Sequence, residues 1–481
     1  MRTALLDPSQ GYYASANADD QGRDVLGARG DFITSPEISQ VFGELLAVYF
    51  VARWQAVGSP EQMRLVEFGP GKGTLLADMI RTFARFPILN SLKTIHLVET
   101  SEGLMRLQLR AIEEALKAAG KKIAMPPSDP AVPAPPLKDN EVSVEYFPLV
   151  DAVPVKPDQW TALVGHEFFD ALPIHIFEKT IKGFREVLVD VKRETVYRSA
   201  SSNSPETTQQ AGQSGVTTIK VSDLRRNKTT SSSPGSASGT ATSAGPPEFQ
   251  YVLSPTETPW TKLLASSNPR FKSLQPGQRV EISPESWATA RKIGELVAGK
   301  KAKVPEESRK LMGRKAEEER EEADAGESLG GAGLIVDYGD EKAFGGSFRA
   351  FKSHAVVSPL QAPGQADLTA NVDFAYLKNA LATTTARSLG PMFQSHFLAT
   401  LGLAPRVEAL VKAAGDSGSG TGSGRAKEIE SSAKRLVDPT GMGAQYKVLG
   451  IEGGAGQEVW PFDFEEQLRA SAKPYKKEEE K

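Results

Sequence analysis

Two acidic residues flank a glycine-rich segment that joins a predicted strand to a predicted helix. The segment is Glu67-Phe68-Gly69-Pro70-Gly71-Lys72-Gly73, and Glu99 ends the next predicted strand along the chain. Glycine lets the backbone turn sharply and approach a ligand without Cβ atoms in between. In open α/β sheets, ligands bind outside the carboxyl ends of the strands, where the strand order reverses. These residue types predict a nucleotide-type site whose loop contains Gly69, Pro70, Gly71 and Gly73.

Three classes of cofactor compete for a loop of this kind. A phosphate-binding loop needs Gly-x4-Gly-Lys-Ser/Thr, but Val66 stands near the first position and Gly73 follows Lys72. A dinucleotide loop needs a third glycine where this chain has Thr74. The carboxylate of Glu67 suits the cationic sulfonium and ammonium groups of S-adenosylmethionine, and Glu99 is placed to accept both ribose hydroxyls. The residues therefore favour S-adenosylmethionine over a dinucleotide and over a turn that binds nothing.

The segments around this loop alternate between buried strands and amphipathic helices. Short apolar runs predict strands at 63–68, 94–99, 161–165, 333–339 and 446–451. Helical spacing or strongly apolar composition predicts helices at 42–55, 74–86, 101–119, 375–389 and 393–401. Strands separated by helices predict a mostly parallel sheet with helices on both faces. The predicted fold class is therefore α/β, a Rossmann-like class I methyltransferase domain with a helical N-terminal region and additional α+β elements.

Composition and motif positions divide the chain into six predicted regions. These are an N-terminal helical region (1–60), the first part of the core (61–180), an inserted substrate region (181–298), a charged linker (299–330), the rest of the core with C-terminal elements (331–465) and a charged tail (466–481). Within the inserted region, residues 199–247 are dominated by Ser, Thr, Gly and Gln. Such a segment cannot bury enough apolar surface to become ordered, so it is predicted to be disordered.

Bulk properties exclude several classes of function. The net charge is −3, so the chain offers no broad basic field for a nucleic-acid backbone. No apolar run approaches the roughly 20 residues that span a bilayer. Cysteine is absent, and no histidine or carboxylate cluster has the spacing of metal ligands. We therefore expect no nucleic-acid partner, no membrane span and no metal.

The segment before the first long helix carries a helix start signal. Thr34 and Glu37 fit a capping box, and Pro36 suits a first helical turn. The preceding Gly30-Asp31-Phe32 is predicted from its position to fold over the cofactor, because excluding water favours transfer from a sulfonium.

Longer motifs resemble those of one known family. They are Gly11-Tyr12-Tyr13, Gly30-Asp31-Phe32-Ile33-Thr34-Ser35-Pro36-Glu37-Ile38-Ser39-Gln40, Phe42-Gly43-Glu44, His96-Leu97-Val98-Glu99, His166-Glu167-Phe168-Phe169-Asp170-Ala171-Leu172-Pro173, Val336-Asp337-Tyr338-Gly339, Ala366-Asp367-Leu368-Thr369-Ala370-Asn371-Val372-Asp373-Phe374 and Met442-Gly443. In this order and spacing they resemble the MidA family, mitochondrial protein arginine methyltransferases that assist assembly of respiratory complex I. The resemblance runs from Gly11 to about Ile451 and leaves out the low-complexity insertions.

The resemblance implies an enzyme of the mitochondrial matrix. It implies symmetric dimethylation of an arginine on a core subunit of complex I, of the 49-kDa type. The chain departs from the family pattern at its start, where residues 1–6 read as the end of a helix, so we expect a targeting segment to lie upstream. Two alternatives are an assembly chaperone without essential catalysis and a methyltransferase for a small molecule.

Arginine methylation sets a demand that the segment 166–170 fits. The guanidinium is protonated at neutral pH, so it must be held by carboxylates with one nitrogen aimed at the methyl group. Glu167 and Asp170 follow a strand and are the candidate ligands, with Phe168 or Phe169 as a wall of the site. Alternatively, Glu167 contacts the cofactor and Asp170 caps a helix before Pro173.

The remaining candidates have simpler alternatives. His166 is a candidate proton acceptor, or a hydrogen-bonded histidine at a strand end. Asp337 and Tyr338 either line the acceptor pocket or belong to a turn at Gly339. Asp367 and Asp373 are interpreted as helix caps.

Overall fold

The computed structural model describes residues 1–7, 10–13, 33–124, 136–192, 248–302, 327–361, 363–415, 422–454 and 459–463. The predicted loop Gly30-Asp31-Phe32, the predicted disordered stretch 199–247, most of the charged linker and the charged tail lie outside these ranges. The chain divides into two compact units, residues 1–188 with 252–481, and residues 189–251. In the second unit, Lys192 and Glu248 form an ion pair of 2.8 Å.

Strands and helices alternate along the described residues. The strands are β1 (Met63–Phe68), β2 (Leu92–Val98), β3 (Lys122–Ile123), β4 (Glu141–Phe147), β5 (Trp160–His166), β6 (His175–Thr180), β7 (Gly183–Val191), β8 (Phe249–Leu253), β9 (Arg279–Ile282), β10 (Gly331–Asp340), β11 (Arg349–Lys352), β12 (Ala355–Val357), β13 (Asp367–Thr369), β14 (Val372–Asp373), β15 (Arg387–Phe393) and β16 (Tyr446–Glu452). The helices are α1 (Arg2–Leu6), α2 (Ser35–Ile38), α3 (Gln40–Ala56), α4 (Thr74–Phe83), α5 (Ile88–Ser91), α6 (Glu102–Ala118), α7 (Pro284–Ala298), α8 (Phe374–Leu381), α9 (Gln394–Thr400), α10 (Leu403–Gly415), α11 (Gly422–Val437) and α12 (Met442–Gln445). None of these helices is both long and apolar enough to cross a membrane.

The central sheet confirms the predicted fold class. Its strand order in the described residues is β15-β16-β10-β5-β1-β2-β4-β3, with β14 paired to β10. The strands from β10 to β3 are parallel, whereas β16 lies antiparallel between β10 and β15. The chain order reverses at β1, because β2 lies on one side of it and β5 on the other. A ligand site is therefore expected at the carboxyl end of β1.

Helices cover both faces of this sheet, which is why β1 is buried along its whole length. Phe42 and Leu46 of α3 pack with Leu76 and Ile80 of α4 in the cluster on one face. Ile293 of α7 and other apolar side chains of α7 and α8 form the cluster on the other face. Burying each such side chain contributes roughly 1.5–3 kcal/mol, so the two clusters hold the strand ends, and the residues that follow them, in place.

Two smaller sheets lie in the sequence between the core segments. One has the order β8-β7-β6-β9, and the other has the order β12-β11-β13. The first begins at His175, two residues after the predicted site segment ends at Pro173. The second contains Arg349 and Asp367, which lie near the site described below.

The predicted helix at 375–389 is wrong in its second half. α8 ends at Leu381, and Arg387 already belongs to β15. The hydroxyls of Thr383 and Thr384 donate to the carbonyls of Ala380 and Leu381, which satisfies groups left open at the helix end. The apolar residues beyond this point pair with β16 instead of continuing the helix.

The predicted capping box is also wrong. Thr34 precedes the short helix α2, but its side chain makes no capping hydrogen bond. The long helix α3 begins only at Gln40, where Ser39 Oγ accepts from the amide of Val41 at 3.3 Å. Glu37 accepts a hydrogen bond of 2.6 Å from the hydroxyl of Thr74, the first residue of α4. Glu37 therefore connects the N-terminal segment to the helix that follows the glycine loop.

Candidate functional site

The glycine-rich loop follows β1 and has a conformation that disfavours other residues. Gly69, Gly71 and Gly73 have φ values of +63°, +55° and +83°. A Cβ at Gly69 would lie 3.0 Å from the ring of Phe168, and a Cβ at Gly73 would lie 3.0 Å from Cα of Gln108. The amide of Gly73 donates to the carbonyl of Pro70 at 2.8 Å, which closes the turn. The loop therefore needs glycine both for its turn and for close packing against two neighbours.

Glu67 is a buried carboxyl group one residue before the end of β1. Its side chain is 4% exposed, and its Oε2 has no hydrogen-bond partner among the described residues. Burial raises the pKa of Glu67 to about 8. A buried carboxyl group without a partner is costly until a cation or a donor satisfies it. Glu67 therefore fits the cationic amino-acid end of S-adenosylmethionine.

Glu99 lies beside the loop and is held on both oxygens. Its Oε1 accepts from the amides of Thr100 (2.7 Å) and Ser101 (2.8 Å), at the start of α6. Its Oε2 accepts from Nε2 of Gln108 at 3.1 Å. Because each carboxylate oxygen has two lone pairs, Glu99 keeps the capacity to accept a ligand hydroxyl.

Gln108 is a site residue that the sequence analysis missed. Its Nε2 also donates to the carbonyl of Gly71 at 2.8 Å, so one amide joins α6 to the glycine loop. Gln108 is buried, and it lies one helical turn after Leu104 on the face that packs inward. A polar residue at an apolar position of that stripe was the available signal.

Glu167 comes directly after β5 and is held in an uncommon backbone conformation. Its φ is +47°, a left-handed value that costs a non-glycine residue about 1–2 kcal/mol. Such strain concentrates at functional sites. The side chain is 7% exposed; its Oε1 accepts from the hydroxyl of Tyr446 at 3.1 Å, and the carboxylate also accepts from the amide of Ser35. Burial raises the pKa of Glu167 well above its ordinary value.

Asp170 lies in the same turn and faces a second phenol. The hydroxyl of Tyr338 donates to Asp170 Oδ2, while Oδ1 has no partner among the described residues. Burial raises the pKa of Asp170 to about 6. Residues 167–173 form a turn and not a helix, so the interpretation of Asp170 as a helix cap is wrong.

Asp337, at the end of β10, organises this turn. Its Oδ2 accepts from the amides of Phe169 (3.0 Å) and Asp170 (3.3 Å), and its Oδ1 accepts from the amide of Tyr338 (2.9 Å). Asp337 is fully buried, and its three hydrogen bonds fix the backbone between the two candidate carboxylates. The guanidinium of Arg349 lies 4.9 Å from the ring centre of Tyr338, whose hydroxyl bonds Asp170.

His166 and the two phenylalanines differ in their surroundings. Burial lowers the pKa of His166 to about 3, so the imidazole is neutral at pH 7. Its Nε2 lies 3.4 Å from Glu167 Oε1 and makes no hydrogen bond within the described residues. Phe168, which follows Glu167 in the sequence, contacts the cofactor loop at Gly69. Phe169 packs in the hydrophobic core.

The two predicted caps have different outcomes. Asp373 accepts from the amide of Tyr376 at 3.0 Å and caps α8, as predicted, and it also pairs with Arg270 at 2.9 Å. Asp367 belongs to β13 and accepts from the hydroxyl of Tyr13 at 3.0 Å, so its interpretation as a cap is wrong. Among the described residues, no group of three or more histidine or carboxylate side chains could hold a metal ion.

Comparisons with known proteins agree with this geometry. Residues 45–392 match a family described as "Putative S-adenosyl-L-methionine-dependent methyltransferase". A mouse protein is 30% identical over 465 residues, covering 94% of this chain and 79% of that protein. A zebrafish protein is 31% identical, covering 94% of this chain and 82% of that protein. Both are named "Protein arginine methyltransferase NDUFAF7, mitochondrial".

A solved structure shows the same fold. It is a protein from Burkholderia thailandensis bound to S-adenosyl-homocysteine, with a TM-score of 0.61 and 18% identity, covering 95% of this chain and 87% of that one. The family match, the relatives and the fold agree with the resemblance carried by the motifs. The chain therefore belongs to the MidA family of S-adenosylmethionine-dependent methyltransferases.

Proposed function

We propose that this chain is a protein arginine ω-N-methyltransferase that supports assembly of mitochondrial complex I. In this proposal it symmetrically dimethylates an arginine on a core subunit of the 49-kDa type. The observation that carries the proposal is the pair of buried carboxylates, Glu167 and Asp170, beside the cofactor loop, each held by a phenol. Two carboxylates in one turn suit the forked, planar guanidinium of arginine better than they suit a compact cation such as the ammonium of lysine.

The residues of the loop fit S-adenosylmethionine. The cofactor, when bound, supplies a methyl group carried on a sulfonium. Glu67 is proposed to neutralise the cationic amino-acid end, because its buried Oε2 has no partner of its own among the described residues. Glu99 is proposed to accept the ribose hydroxyls, and Gly69, Pro70, Gly71 and Gly73 form the turn that lets the backbone approach the ligand.

The turn after β5 is proposed to bind the acceptor arginine. Glu167 and Asp170 would neutralise the guanidinium and fix the orientation of its nitrogens, so that one of them faces the methyl group. A protonated guanidinium that gains a methyl group must lose one proton. The proposed acceptor of that proton is the carboxylate of Glu167, because burial raises its pKa well above the ordinary value. His166, the candidate from the sequence, lies beside it, but burial lowers the pKa of its imidazole to about 3, which makes it the weaker base.

The proposed location is the mitochondrial matrix. The relatives from mouse and zebrafish are named as mitochondrial proteins, and complex I assembly is what the family resemblance implies. These names support the location and the arginine acceptor for this chain.

The test is incubation of the purified chain with methyl-labelled S-adenosylmethionine and the purified complex I subunit. We expect label on an arginine of the subunit, identified by mass spectrometry as symmetric dimethylarginine. Gly71→Val should lose labelling through loss of cofactor binding, because φ at position 71 is +55°. Glu167→Ala should lose labelling while it keeps affinity for S-adenosylhomocysteine.

Other results would favour the alternatives. Binding of the subunit without any labelling would indicate an assembly chaperone. Labelling confined to a small molecule would indicate a small-molecule methyltransferase. Unchanged labelling in Gly71→Val would overturn the assignment of the cofactor loop.

A further inference from the structure

Two tyrosines face the candidate acceptor carboxylates from neighbouring strands. Tyr338 of β10 and Tyr446 of β16 are directly paired across the antiparallel register, and their ring centres lie 5.6 Å apart. Opposite residues of an antiparallel pair project from the same face of a sheet. Both side chains are buried, so their hydroxyls must find partners inside the protein.

Each hydroxyl bonds a different carboxylate. Tyr446 donates to Glu167 at 3.1 Å, and Tyr338 donates to Asp170. The two bonds reach the turn from the same side, because both phenols come from one pair of strands. Tyr446 lies outside residues 45–392, which are the ones that the family description matches.

We infer that Tyr446 and Tyr338 are positioning residues of the acceptor site, Tyr446 for Glu167 and Tyr338 for Asp170. Each phenol fixes the orientation of its carboxylate and leaves further lone pairs available to the incoming guanidinium. The two carboxylates are then presented in a set geometry before the substrate arrives, which reduces the entropy lost on binding. This inference rests on the proposed function, since it assumes that Glu167 and Asp170 bind the acceptor.

A positioning role predicts that removing the hydroxyl shifts the pH dependence of catalysis, whereas a purely structural role predicts no such shift. The hydrogen bond from Tyr446 lowers the pKa of Glu167, and the bond from Tyr338 lowers that of Asp170, in both cases against the larger effect of burial. Removing either hydroxyl therefore raises the pKa of its carboxyl group. A higher pH is then needed to ionise the group that binds the guanidinium.

Other titratable groups surround these two carboxyl groups. Asp170 and Asp367 from β13 act to raise the pKa of Glu167, and His166 lies beside it. Glu167 in turn acts to raise the pKa of Asp337 from β10. Arg349 from β11 acts to lower the pKa of Asp170. Asp170 in turn acts to raise the pKa of Tyr13. These groups are unchanged in the variants below, so a shift in the pH profile reports on the deleted hydroxyl.

The test compares Tyr446→Phe and Tyr338→Phe with Tyr49→Phe. Tyr49 is a matched control, because it is a fully buried phenol whose hydroxyl has no hydrogen-bond partner among the described residues. For each variant, kcat and KM for the acceptor subunit are measured across pH with labelled S-adenosylmethionine. Affinity for S-adenosylhomocysteine is measured by calorimetry.

We expect Tyr446→Phe and Tyr338→Phe to lower kcat/KM for the acceptor by about tenfold to a hundredfold, the usual worth of a hydrogen bond to a charged group. The acidic limb of their kcat/KM profile should move to higher pH, while affinity for S-adenosylhomocysteine stays within about twofold of wild type. Tyr49→Phe should match wild type in every measurement.

Two results would overturn the inference while the proposed function stands. One is wild-type kcat/KM and an unshifted pH profile in both Tyr446→Phe and Tyr338→Phe. The other is a loss of kcat/KM that follows an equal loss of affinity for S-adenosylhomocysteine, which would indicate general damage to the fold. A wild-type chain that transfers no methyl group to arginine would overturn the proposed function and this inference with it.

Discussion

Gln108 and Glu99 are joined by a hydrogen bond of 3.1 Å from the side-chain amide to the carboxylate. The same amide donates to the carbonyl of Gly71 at 2.8 Å. A single side chain of α6 therefore holds both the acidic residue proposed to bind ribose and the turn proposed to approach the cofactor. Because Gln108 is buried, its loss leaves two acceptors without their donor.

Gln108→Leu should weaken binding of S-adenosylhomocysteine by roughly tenfold, because an apolar side chain of similar size cannot hold Glu99 or the loop. Calorimetric titration measures the effect. Arg106→Leu is the control on the same helix, since the side chain of Arg106 is 56% exposed and pairs with Glu102 on the surface. Equal affinities in the two variants would contradict the role assigned to Gln108.

Gly73→Ala should lose cofactor affinity in addition to stability. Its φ of +83° costs alanine about 1 kcal/mol, and the new Cβ would lie 3.0 Å from the backbone of Gln108. Gly120→Ala is a matched control, because Gly120 has a φ of +75° and nothing within 4 Å of the added Cβ. Gly73→Ala should lose more stability in urea than Gly120→Ala, because the close contact with Gln108 adds to the cost of the positive φ, and only Gly73→Ala should bind S-adenosylhomocysteine more weakly.

Binding of S-adenosylmethionine should weaken as pH falls below about 8. Burial raises the pKa of Glu67 to about 8, so the empty site binds a proton at neutral pH. A cationic ligand lowers that pKa, so the bound state holds fewer protons and affinity rises with pH up to that value, by at most about tenfold per pH unit. Titrations in buffers of different ionisation enthalpy measure the released proton.

Glu67→Gln tests the source of that proton. The amide is nearly isosteric and does not titrate, so proton release should disappear and the affinity should depend little on pH over the same range. Proton release that persists in Glu67→Gln would mean that another group titrates on binding.

The buried ion pair between Arg53 of α3 and Glu452 of β16 should matter for stability because losing one partner leaves the other charge buried and unpaired. The two side chains meet at 2.6 Å and are both buried. Arg53→Met leaves the carboxylate buried without its partner and should lower the free energy of unfolding by about 3–5 kcal/mol, measured by urea denaturation. The double variant Arg53→Met, Glu452→Met should lose much less, because it leaves no buried charge. Equal losses in the single and double variants would contradict this account.

The features that could be predicted from the sequence are those set by neighbours along the chain. The strand at 63–68 and the glycine turn after it depend on a short apolar run and on glycines that permit positive φ values. The order of strands and helices then determines the parallel sheet. These local rules predicted the fold and placed Glu67 and Glu99 beside the loop.

Contacts between distant parts of the chain could not be predicted in this way. Glu37 matches a helix cap in sequence, but it bonds Thr74, which lies 37 residues away. Tyr446 bonds Glu167 across a separation of 279 residues. Neither partner is visible in the local pattern, because only the packed sheet brings the two segments together.

The position of β16 imposes an order on the making of the enzyme. β16 is inserted between β10 and β15, so those two strands do not pair with each other, and the gap between them stays open until residues 446–452 have been synthesised. The parallel half of the sheet, with its cofactor turn, is encoded by residues 63–340 and can form earlier. A chain interrupted before residue 446 would thus carry the cofactor turn while lacking the phenol that bonds Glu167, so the proposed acceptor site is complete only after β16 has joined the sheet.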